Sequence, residues 1–546
     1  MQQTGPDALP WTRFSQHEDL TVRLRNILHD YAFGPGIFRE FLQNADDARA
    51  TRLVLLADGV TYPGQELLDE RLAAWQGPAL CAFNDAVFSD ADFEGICRVG
   101  ASAKRGDETK IGHYGLGFNS CYHLSDVISF TSRDRLCIFD PHERHLPGDI
   151  PGLQLRLGWE EIELFGGQLR PFQEVAQACG VECWPLEGAI FRLPLRTPAL
   201  AESSQICPES HGFREAVQVL EELLRGAQDL LLFLQSVERL EVMVRHPAGG
   251  KAHWQLLGSA SLRTACLETG AKLRRERRLA DLEGSVKARR GGMAFVVDVR
   301  TELEGEGQRA SSFAWLLARR CEGLSADEKE RQAELPKHRH SAVALRLWPF
   351  EPEEELHGQA FCFLPLSLST GLPVHISANF AISANRRDLW RRSDDKAASF
   401  GNLRAAWNEV LLDQTLPRVY ADALEMLTTA FPSQPSEKQQ PELDDVPFGA
   451  ADFLDAEIRQ QVQGALLSRG EHLWRFWPGA PGASGSFEAL PGKVAQELLS
   501  RQAAVFWSAG LGAFCSPRSS LLCPAADYAG LEEALRSALA KLQLAG

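Results

Sequence analysis

The chain has 546 residues, of which 44% are hydrophobic and 24% are charged, and its formal net charge is −16. This acidic balance argues against a general nucleic-acid binder and against a basic membrane-surface protein, because both need clustered Lys and Arg. No apolar run approaches the roughly 18 residues of a membrane span, and the N-terminus lacks the apolar segment of a secretory signal. The 12 cysteines contain no C-x-x-C pair. We therefore expect a cytoplasmic protein with reduced thiols and with no nucleic-acid or membrane partner.

The first 200 residues alternate helices and strands around a glycine-rich loop. After a loose tail over residues 1–16, apolar spacing predicts a helix over 19–31 and, beyond a Phe-Gly-Pro-Gly turn, a second helix over 37–49. A capped helix begins at Ser89 and is followed by a mobile loop over 100–112. The predicted strands cover 51–58, 80–84, 127–132, 136–139 and 189–195. This order predicts an α+β fold in which residues 17–200 form a sandwich with helices on one face of a mixed sheet.

The chain becomes polar and irregular around residues 198–208, which indicates a domain boundary. The following helical and strand-like segments predict an α/β middle domain over 205–430, ending in paired helices. Residues 431–445 are dense in Pro, Ser and charge and are predicted to be a linker. A mostly helical C-terminal region is expected over 446–546.

The helix over 37–49, IFREFLQNADDAR, has three sides where an ordinary surface helix has two. Its apolar side consists of Ile37, Phe38, Phe41, Leu42, Ala45 and Ala48. Arg39 and Asp46 form a charged side that can face water. Glu40, Asn44 and Asp47 fall within a third arc, roughly 60° wide, beside the apolar side. Two acids and an amide against a core cost free energy unless they are paired, so this arc is either a solvated polar face or part of a ligand or metal site.

Three further segments could meet on the same ligand. Asp85 ends the buried-looking strand LCAFN, where it is either a ligand contact or a turn residue. The segment GHYGLG over 112–117 precedes a helix, and its glycines either let backbone N–H groups approach a phosphate or form a tight turn. Lys104 lies in the mobile loop and is either a phosphate contact or a solvated side chain.

Taken together, EFLQNADDA, FND and KIGHYGLGFNS resemble the motifs of the Bergerat-fold (GHKL) ATPases. This superfamily includes the ninety-kilodalton heat-shock chaperones, gyrase, mismatch-repair ATPases and histidine kinases. Longer segments, among them GPGIFREFLQNADDA, GPALCAFNDAVFSDADFEGI, KIGHYGLGFNSCYHLSDV and FAISANRRDLW, resemble the repeat of sacsin, a large co-chaperone-like protein. The resemblance covers roughly residues 20–416.

The resemblance implies that residues 17–200 form a Bergerat-fold domain that binds ATP or ADP with Mg²⁺. Glu40 would be the general base that orients the attacking water, Asn44 the Mg²⁺ ligand, and Asp47 a structural acid beside the nucleotide. Asp85 would accept a hydrogen bond from the adenine amino group, and Ala189 would lie beside the base. The phosphate contacts that the resemblance implies are Lys104, Gly112, Gly115, Gly117 and the Phe118 backbone, with Arg386 or Arg387 as the catalytic-loop arginine.

The chain departs from the superfamily pattern at three points. The glycines of D-x-G-x-G are missing from the segment DAVFS over 85–89, and Ala189 stands where the superfamily has Thr. One lost neutral hydrogen bond weakens binding roughly threefold to tenfold. The loop over 86–111 is shorter than the lid of the heat-shock chaperones, so we expect slow closure and slow turnover.

The resemblance implies a chaperone or co-chaperone module in which nucleotide drives lid and domain closure on protein clients or other chaperones. The alternative is a nucleotide-binding interaction scaffold with little or no hydrolysis. A histidine kinase is disfavoured because only a short tail precedes the domain, and a gyrase- or repair-type function is disfavoured by the charge of −16.

Overall fold

The computed structural model describes residues 18–30, 32–98, 117–247, 253–266, 293–303, 309–324, 336, 338–349, 357–383, 388–392, 399–430, 485–503, 506–508 and 513–515. The α-helices are α1 (Leu20–Asp30), α2 (Gly36–Asp47), α3 (Asp90–Ile96), α4 (Trp159–Leu164), α5 (Gly166–Cys179), α6 (Pro198–Ser203), α7 (Phe213–Arg225), α8 (Ala227–Leu230), α9 (Ser399–Val410), α10 (Leu416–Ala430) and α11 (Leu490–Arg501). Short 3-10 helices cover Glu70–Trp75, Gly117–His123 and Gly485–Phe487, and a π-helical turn, Leu411–Thr415, joins α9 to α10.

The strands are β1 (Arg52–Asp58), β2 (Ala79–Asn84), β3 (Ile128–Arg133), β4 (Arg135–Phe139), β5 (Gly152–Arg156), β6 (Leu186–Pro194), β7 (Arg239–Arg245), β8 (Gln255–Cys266), β9 (Met293–Leu303), β10 (Arg309–Gly323), β11 (His338–Trp348), β12 (Gln359–Cys362), β13 (Leu364–Ser369), β14 (His375–Ala378), β15 (Phe506–Ser508) and β16 (Ala513–Cys515). The first fourteen form one mixed sheet in the order β13-β12-β14-β11-β10-β9-β8-β7-β1-β2-β6-β3-β4-β5. Strand β1 lies inside this sheet, antiparallel to β2 and parallel to β7. The predicted α+β fold with a mixed sheet is therefore confirmed, and the structure adds that fourteen strands form one sheet.

Helices cover both faces of the sheet, so the expectation of helices on one face is wrong. On the first face, Leu53 and Leu55 of β1 belong to a core that includes Phe38 and Leu42 of α2. On the second face, Val54 and Leu56 belong to a core that includes α5 and the 3-10 helix Glu70–Trp75. Helix α5 was not predicted because two glycines at its start and Pro171 within it weaken the helical pattern. The near-continuous apolar run of β1 is typical of a strand covered on both faces.

Helix α2 buries the predicted apolar side, from Ile37 to Ala45, against the first face of the sheet. Ala48 lies beyond the helix end and is exposed. Its backbone N–H donates to the carbonyl oxygen of Asn44 and so closes the last turn of the helix. Arg49 then takes a left-handed conformation with φ 66°, and the chain turns into β1. The helix therefore leads directly into a strand inside the sheet.

The expectation that Asp46 faces water is also wrong, because its side chain is only 3% exposed. Its Oδ1 atom accepts hydrogen bonds from three successive backbone N–H groups, those of Gln235 (3.0 Å), Ser236 (2.7 Å) and Val237 (2.9 Å). Burial raises the pKa of Asp46, and the amide hydrogen bonds act in the opposite direction because they stabilise the ionised form. The carboxylate thus ties α2 to the segment that leads into β7.

The sheet continues across the predicted boundary near residue 205. Strand β7 follows that boundary and pairs with β1, placing Leu240 opposite Leu53. At the far end of the same pair, Arg245 and Asp58 form a buried ion pair with an Nη2–Oδ2 distance of 2.8 Å. The division into an N-terminal and a middle domain stays a prediction, and the two parts share one sheet.

The predicted linker over 431–445 lies outside the described residues, as does most of the region over 446–546. Within that region, α11 packs against α10 and buries Val494 and Leu498 in the core of the middle part. The mostly helical character of the region stays a prediction. None of the described helices combines the length and the apolar character that a membrane crossing requires.

Candidate functional site

A close contact joins Glu40 on α2 to Gly117, the first residue of the 3-10 helix Gly117–His123. A Cβ atom added to Gly117 would overlap the Oε2 and Cδ atoms of Glu40 and lie 3.0 Å from its Cγ. A larger residue at 117 would therefore displace the Glu40 side chain. Burial, and secondarily the negative charge of Glu40, raise the pKa of the Cys121 thiol further along the same helix. The last glycine of the predicted phosphate loop thus lies against the predicted general base.

The three polar residues of α2 lie along one edge of the helix, because Asn44 follows Glu40 by four residues and Asp47 follows Asn44 by three. Glu40 and Asn44 are partly buried, and Asp47 is 9% exposed. All three make polar or electrostatic contacts within the chain. The arc is therefore a largely covered edge and not an open solvated face.

Across the described ranges, no group of three or more His, Cys, Asp or Glu side chains is placed to hold a metal ion. Mg²⁺ usually keeps several waters and is bound through one or two protein oxygens together with the phosphates of a substrate. Asn44 lies one helical turn after Glu40 on α2, and its side chain carries one amide oxygen. This donor set fits an ion that arrives with a nucleotide better than a metal held by the protein alone.

Arg196 anchors the far end of the 3-10 helix Gly117–His123. Its guanidinium is almost fully buried, at 2% exposure, and donates to the carbonyl oxygens of Tyr122 (2.8 Å) and His123 (2.9 Å). The same group pairs with the buried carboxylate of Asp126, with an Nε–Oδ1 distance of 3.1 Å. These bonds satisfy the carbonyl groups that a helix end leaves unpaired, so the position of Gly117 depends on an ion pair at the other end of its helix.

Phe118 follows Gly117 and places its ring in a cluster of phenylalanines above β3, β4 and β6. Its centroid lies 5.7 Å from that of Phe191 and 6.4 Å from that of Phe139. Phe88 joins the cluster at 5.5 Å from Phe130. Phe88 belongs to the segment that lacks the superfamily glycines, so an aromatic ring covers this part of the sheet.

Asp85 is exposed and lies at the end of β2, where its carboxylate caps the start of β1. It accepts hydrogen bonds from the backbone N–H groups of Thr51 (2.7 Å) and Arg52 (3.0 Å), and from the Thr51 hydroxyl (2.5 Å). Asp85 therefore ties the end of β2 to the start of β1, and the Asx-type turn expected at Asn84-Asp85 is made by Asn84, whose Oδ1 atom accepts from the N–H of Ala86 at 3.1 Å.

The residue before it, Asn84, is 8% exposed and lies directly opposite Ala189 of β6. Ala189 in turn lies opposite Ser132 of β3. The structure therefore brings Asn84, Ala189 and Ser132 into one row across three neighbouring strands. The sequence pattern did not single out Asn84, because LCAFN is apolar up to its last residue. Strand alternation nevertheless places Asn84 on the same face of the sheet as Leu80 and Ala82.

The other predicted phosphate contacts and the catalytic-loop arginines, Lys104, Gly112, Gly115, Arg386 and Arg387, lie outside the described residues. The structure thus places Glu40, Asn44 and Asp47 on α2 and sets Gly117 against Glu40, whereas the Asp85 carboxylate is directed to the start of β1. Sequence reasoning did not identify Asn84, Arg196 or the Asp46 anchor.

Two comparisons with known proteins bear on this arrangement. Residues 17–255 match the family model described as the sacsin domain, and this range includes α2, the 3-10 helix Gly117–His123 and β7. The human protein sacsin is 32% identical over 426 residues, which cover 76% of this chain. The chain spans about 9% of the length of that relative.

Proposed function

From the match of residues 17–255 to the sacsin domain, we propose that this chain is a sacsin-type module that binds ATP and hydrolyses it slowly in the cytoplasm. The supporting observation is the contact between Glu40 and Gly117, which places a carboxylate at the entrance of a helix whose preceding loop is rich in glycine. Backbone N–H groups at such a helix start favour an anion. A carboxylate there repels phosphate unless a water or a cation lies between them, and a water held by a carboxylate next to the phosphates is what hydrolysis of the β–γ phosphoanhydride bond of ATP needs.

Each residue of the α2 edge then has a distinct role. Glu40 orients the attacking water and accepts its proton, as a general base does. Asn44 would hold Mg²⁺ through its amide oxygen, and the ion would supply positive charge to the phosphates. Asp47 is more deeply covered than Asn44 and supports the nucleotide side of the helix.

The Asp46 anchor supports a coupling between nucleotide and the middle part of the chain. Asp46 lies on the helix that carries Glu40 and Asn44, and its carboxylate holds the segment over 235–237. A shift of α2 on nucleotide binding therefore moves the start of β7. We propose that this movement acts on protein clients or on other chaperones, as in a co-chaperone.

An interaction scaffold with little hydrolysis is the second candidate. It is favoured by Asp85, whose carboxylate is engaged by Thr51 and Arg52. A nucleotide site without that acid loses one contact to the base. Nucleotide would then bind weakly, and the domain would not close productively for hydrolysis.

Release of phosphate from Mg²⁺–ATP separates the two candidates. We expect Glu40→Ala to lower the release about 10²- to 10⁴-fold, while ADP binding measured by calorimetry stays within about threefold. The matched control is Glu94→Ala, because Glu94 is an exposed glutamate on α3. If the wild type releases no more phosphate than Glu40→Ala, the hydrolytic function is wrong. If ADP and ATP do not bind at all, both candidates are wrong.

A further inference from the structure

We propose that Asn84, and not Asp85, contacts the base of the bound nucleotide, and that the site therefore accepts 6-oxo purines such as inosine nucleotides about as well as adenine nucleotides. This inference rests on the proposed nucleotide site. It assigns the base-reading role to a residue that the sequence motifs do not select.

Strand alternation separates the two neighbouring side chains. Leu80 and Ala82 of β2 belong to the core shared with α2, whereas Cys81 and Phe83 belong to the core on the opposite face. Asn84 therefore points to the α2 face, where Glu40 and Asn44 lie. The Asp85 carboxylate is bound to the backbone at the start of β1.

Of the three residues in the row across the strands, Asn84, Ala189 and Ser132, only Asn84 has a polar group that can bind a ligand. Ala189, the central member, has no polar side-chain atom. The Ser132 hydroxyl donates to the carbonyl oxygen of Gly188 at 2.5 Å and accepts from the N–H of Phe88 at 3.1 Å. Ser132 is therefore used within the fold, and it cannot replace the hydroxyl that Ala189 lacks.

The orientation of the Asn84 amide is fixed by its own backbone neighbour. Its Oδ1 atom accepts a hydrogen bond from the N–H of Ala86 at 3.1 Å. Only the oxygen can accept that bond, so the amide group cannot be flipped without losing it. In the part of the chain that the structure describes, no other atom accepts from the Nδ2 group of Asn84. The side chain therefore offers a donor to a ligand.

A donor and a carboxylate bind different atoms of the base. A carboxylate only accepts, so it pairs with the exocyclic amino group of adenine or with the ring N1–H of hypoxanthine. The Nδ2 group of Asn84 donates, so it pairs with ring N1 of adenine or with the 6-keto oxygen of hypoxanthine. Since both bases present an acceptor, the wild-type site gains little from choosing between them.

The test compares ADP with IDP, which differ only at position 6 and at the adjoining ring nitrogen. Calorimetry on the full chain should give dissociation constants within about threefold of each other for the wild type. Asn84→Asp should weaken ADP and IDP binding together, because a carboxylate has no proton to donate to ring N1 of adenine or to the 6-keto oxygen of hypoxanthine. Asp85→Asn, the matched change at the next position, should leave the ratio unchanged while lowering the melting temperature.

A second variant keeps the test decisive if Asn84→Asp fails to fold. Asn84→Ala removes the donor and should weaken ADP and IDP binding together, about threefold to tenfold, with the ratio preserved. The inference is overturned if Asp85→Asn changes the ADP-to-IDP ratio, or if the wild type prefers ADP by a hundredfold or more. Absence of binding by either nucleotide would instead overturn the proposed function, and this inference with it.

Discussion

The carboxylate of Asp46 accepts a hydrogen bond of 2.7 Å from the backbone N–H of Ser236, which lies 190 positions further along the sequence. The two residues belong to segments that the sequence assigns to different domains. Their contact makes the end of α2 and the start of β7 parts of one rigid connection, because the N–H groups of Gln235 and Val237 bind the same oxygen.

Removal of this anchor should strongly destabilise the protein. Asp46→Ala leaves three buried backbone N–H groups without an acceptor, and we expect it to lower the free energy of unfolding by about 3–5 kcal/mol. Asp46→Asn keeps one oxygen in place and should cost less than half as much. Urea denaturation measures both. Equal losses in the two variants would show that charge, and not the acceptor oxygen, is what stabilises this contact.

The Glu40–Gly117 contact predicts a coupled pair of substitutions. Gly117→Ala forces a methyl group into the Glu40 carboxylate and should cost about 1–3 kcal/mol of stability, together with most phosphate release. In the Glu40→Ala background the same change should cost much less, since the overlapping atoms are gone. Gly95→Ala on α3 is the control, because a Cβ there meets no described atom within 4 Å. An undiminished cost in the double variant would contradict the steric explanation.

The buried Arg196–Asp126 pair predicts an effect on the site from a distance. Arg196→Ala leaves Asp126 buried without its partner, and we expect a loss of about 3–5 kcal/mol. Phosphate release should also fall, because the 3-10 helix that begins at Gly117 loses its anchor. Arg196→Lys keeps the positive charge but not the planar guanidinium, so its stability and its phosphate release should lie between those of the wild type and Arg196→Ala. The Arg156–Asp134 pair, in which the arginine is exposed and the aspartate partly buried, is the control, and Arg156→Ala should cost less than about 1 kcal/mol.

His340 on β11 predicts a dependence of stability on pH. Burial, followed by the positive charges of His338 and Arg319, lowers the pKa of His340 to about 3. Because this value is below that of the unfolded chain, about 6.5, the unfolded state binds the extra proton first. The contribution of His340 is therefore fully present above about pH 6.5 and is lost as the pH falls toward 3, at about 1.4 kcal/mol per pH unit.

We therefore expect His340 to account for a loss of about 2 kcal/mol between pH 6.5 and pH 5, measurable by urea denaturation at each pH. His340→Asn should flatten the profile over this range. His29→Asn, which changes an exposed histidine on α1, should leave it unchanged. A profile that is equally steep in the His340 variant would exclude this histidine as the cause.

Local patterns in the sequence predicted the elements well, because apolar periodicity and capping residues act over short distances. The apolar side of α2, the capping box from Ser89 to Asp92 and the strands on either side of them are all present. Helix α5 was missed because its glycines and Pro171 weaken the local pattern, and the other failures were statements that depend on a distant partner. Asp46 has the helical position of a solvated residue, and only the fold brings the amides at 235–237 to it.

The candidate site was also predictable only where local spacing and motifs determine the position of a residue. The α2 arc and Gly117 follow from spacing and from motif resemblance, and the structure places Glu40 against Gly117. The assignment of Asp85 depends on which way a side chain points at a strand end, and a one-residue change reverses that direction. In an all-apolar strand covered on both faces, the sequence does not show which face is which.

The parallel pairing of β1 with β7 has a consequence for anyone who expresses part of this chain. A fragment that stops near residue 200 would leave one long side of β1 without its hydrogen-bonding neighbour. That strand is apolar and buried from Leu53 onward, and an uncovered strand of this kind recruits other chains into aggregates. The shortest well-behaved fragment containing Glu40 should therefore extend beyond Arg245, and its solubility would then report on strand pairing before any nucleotide is added.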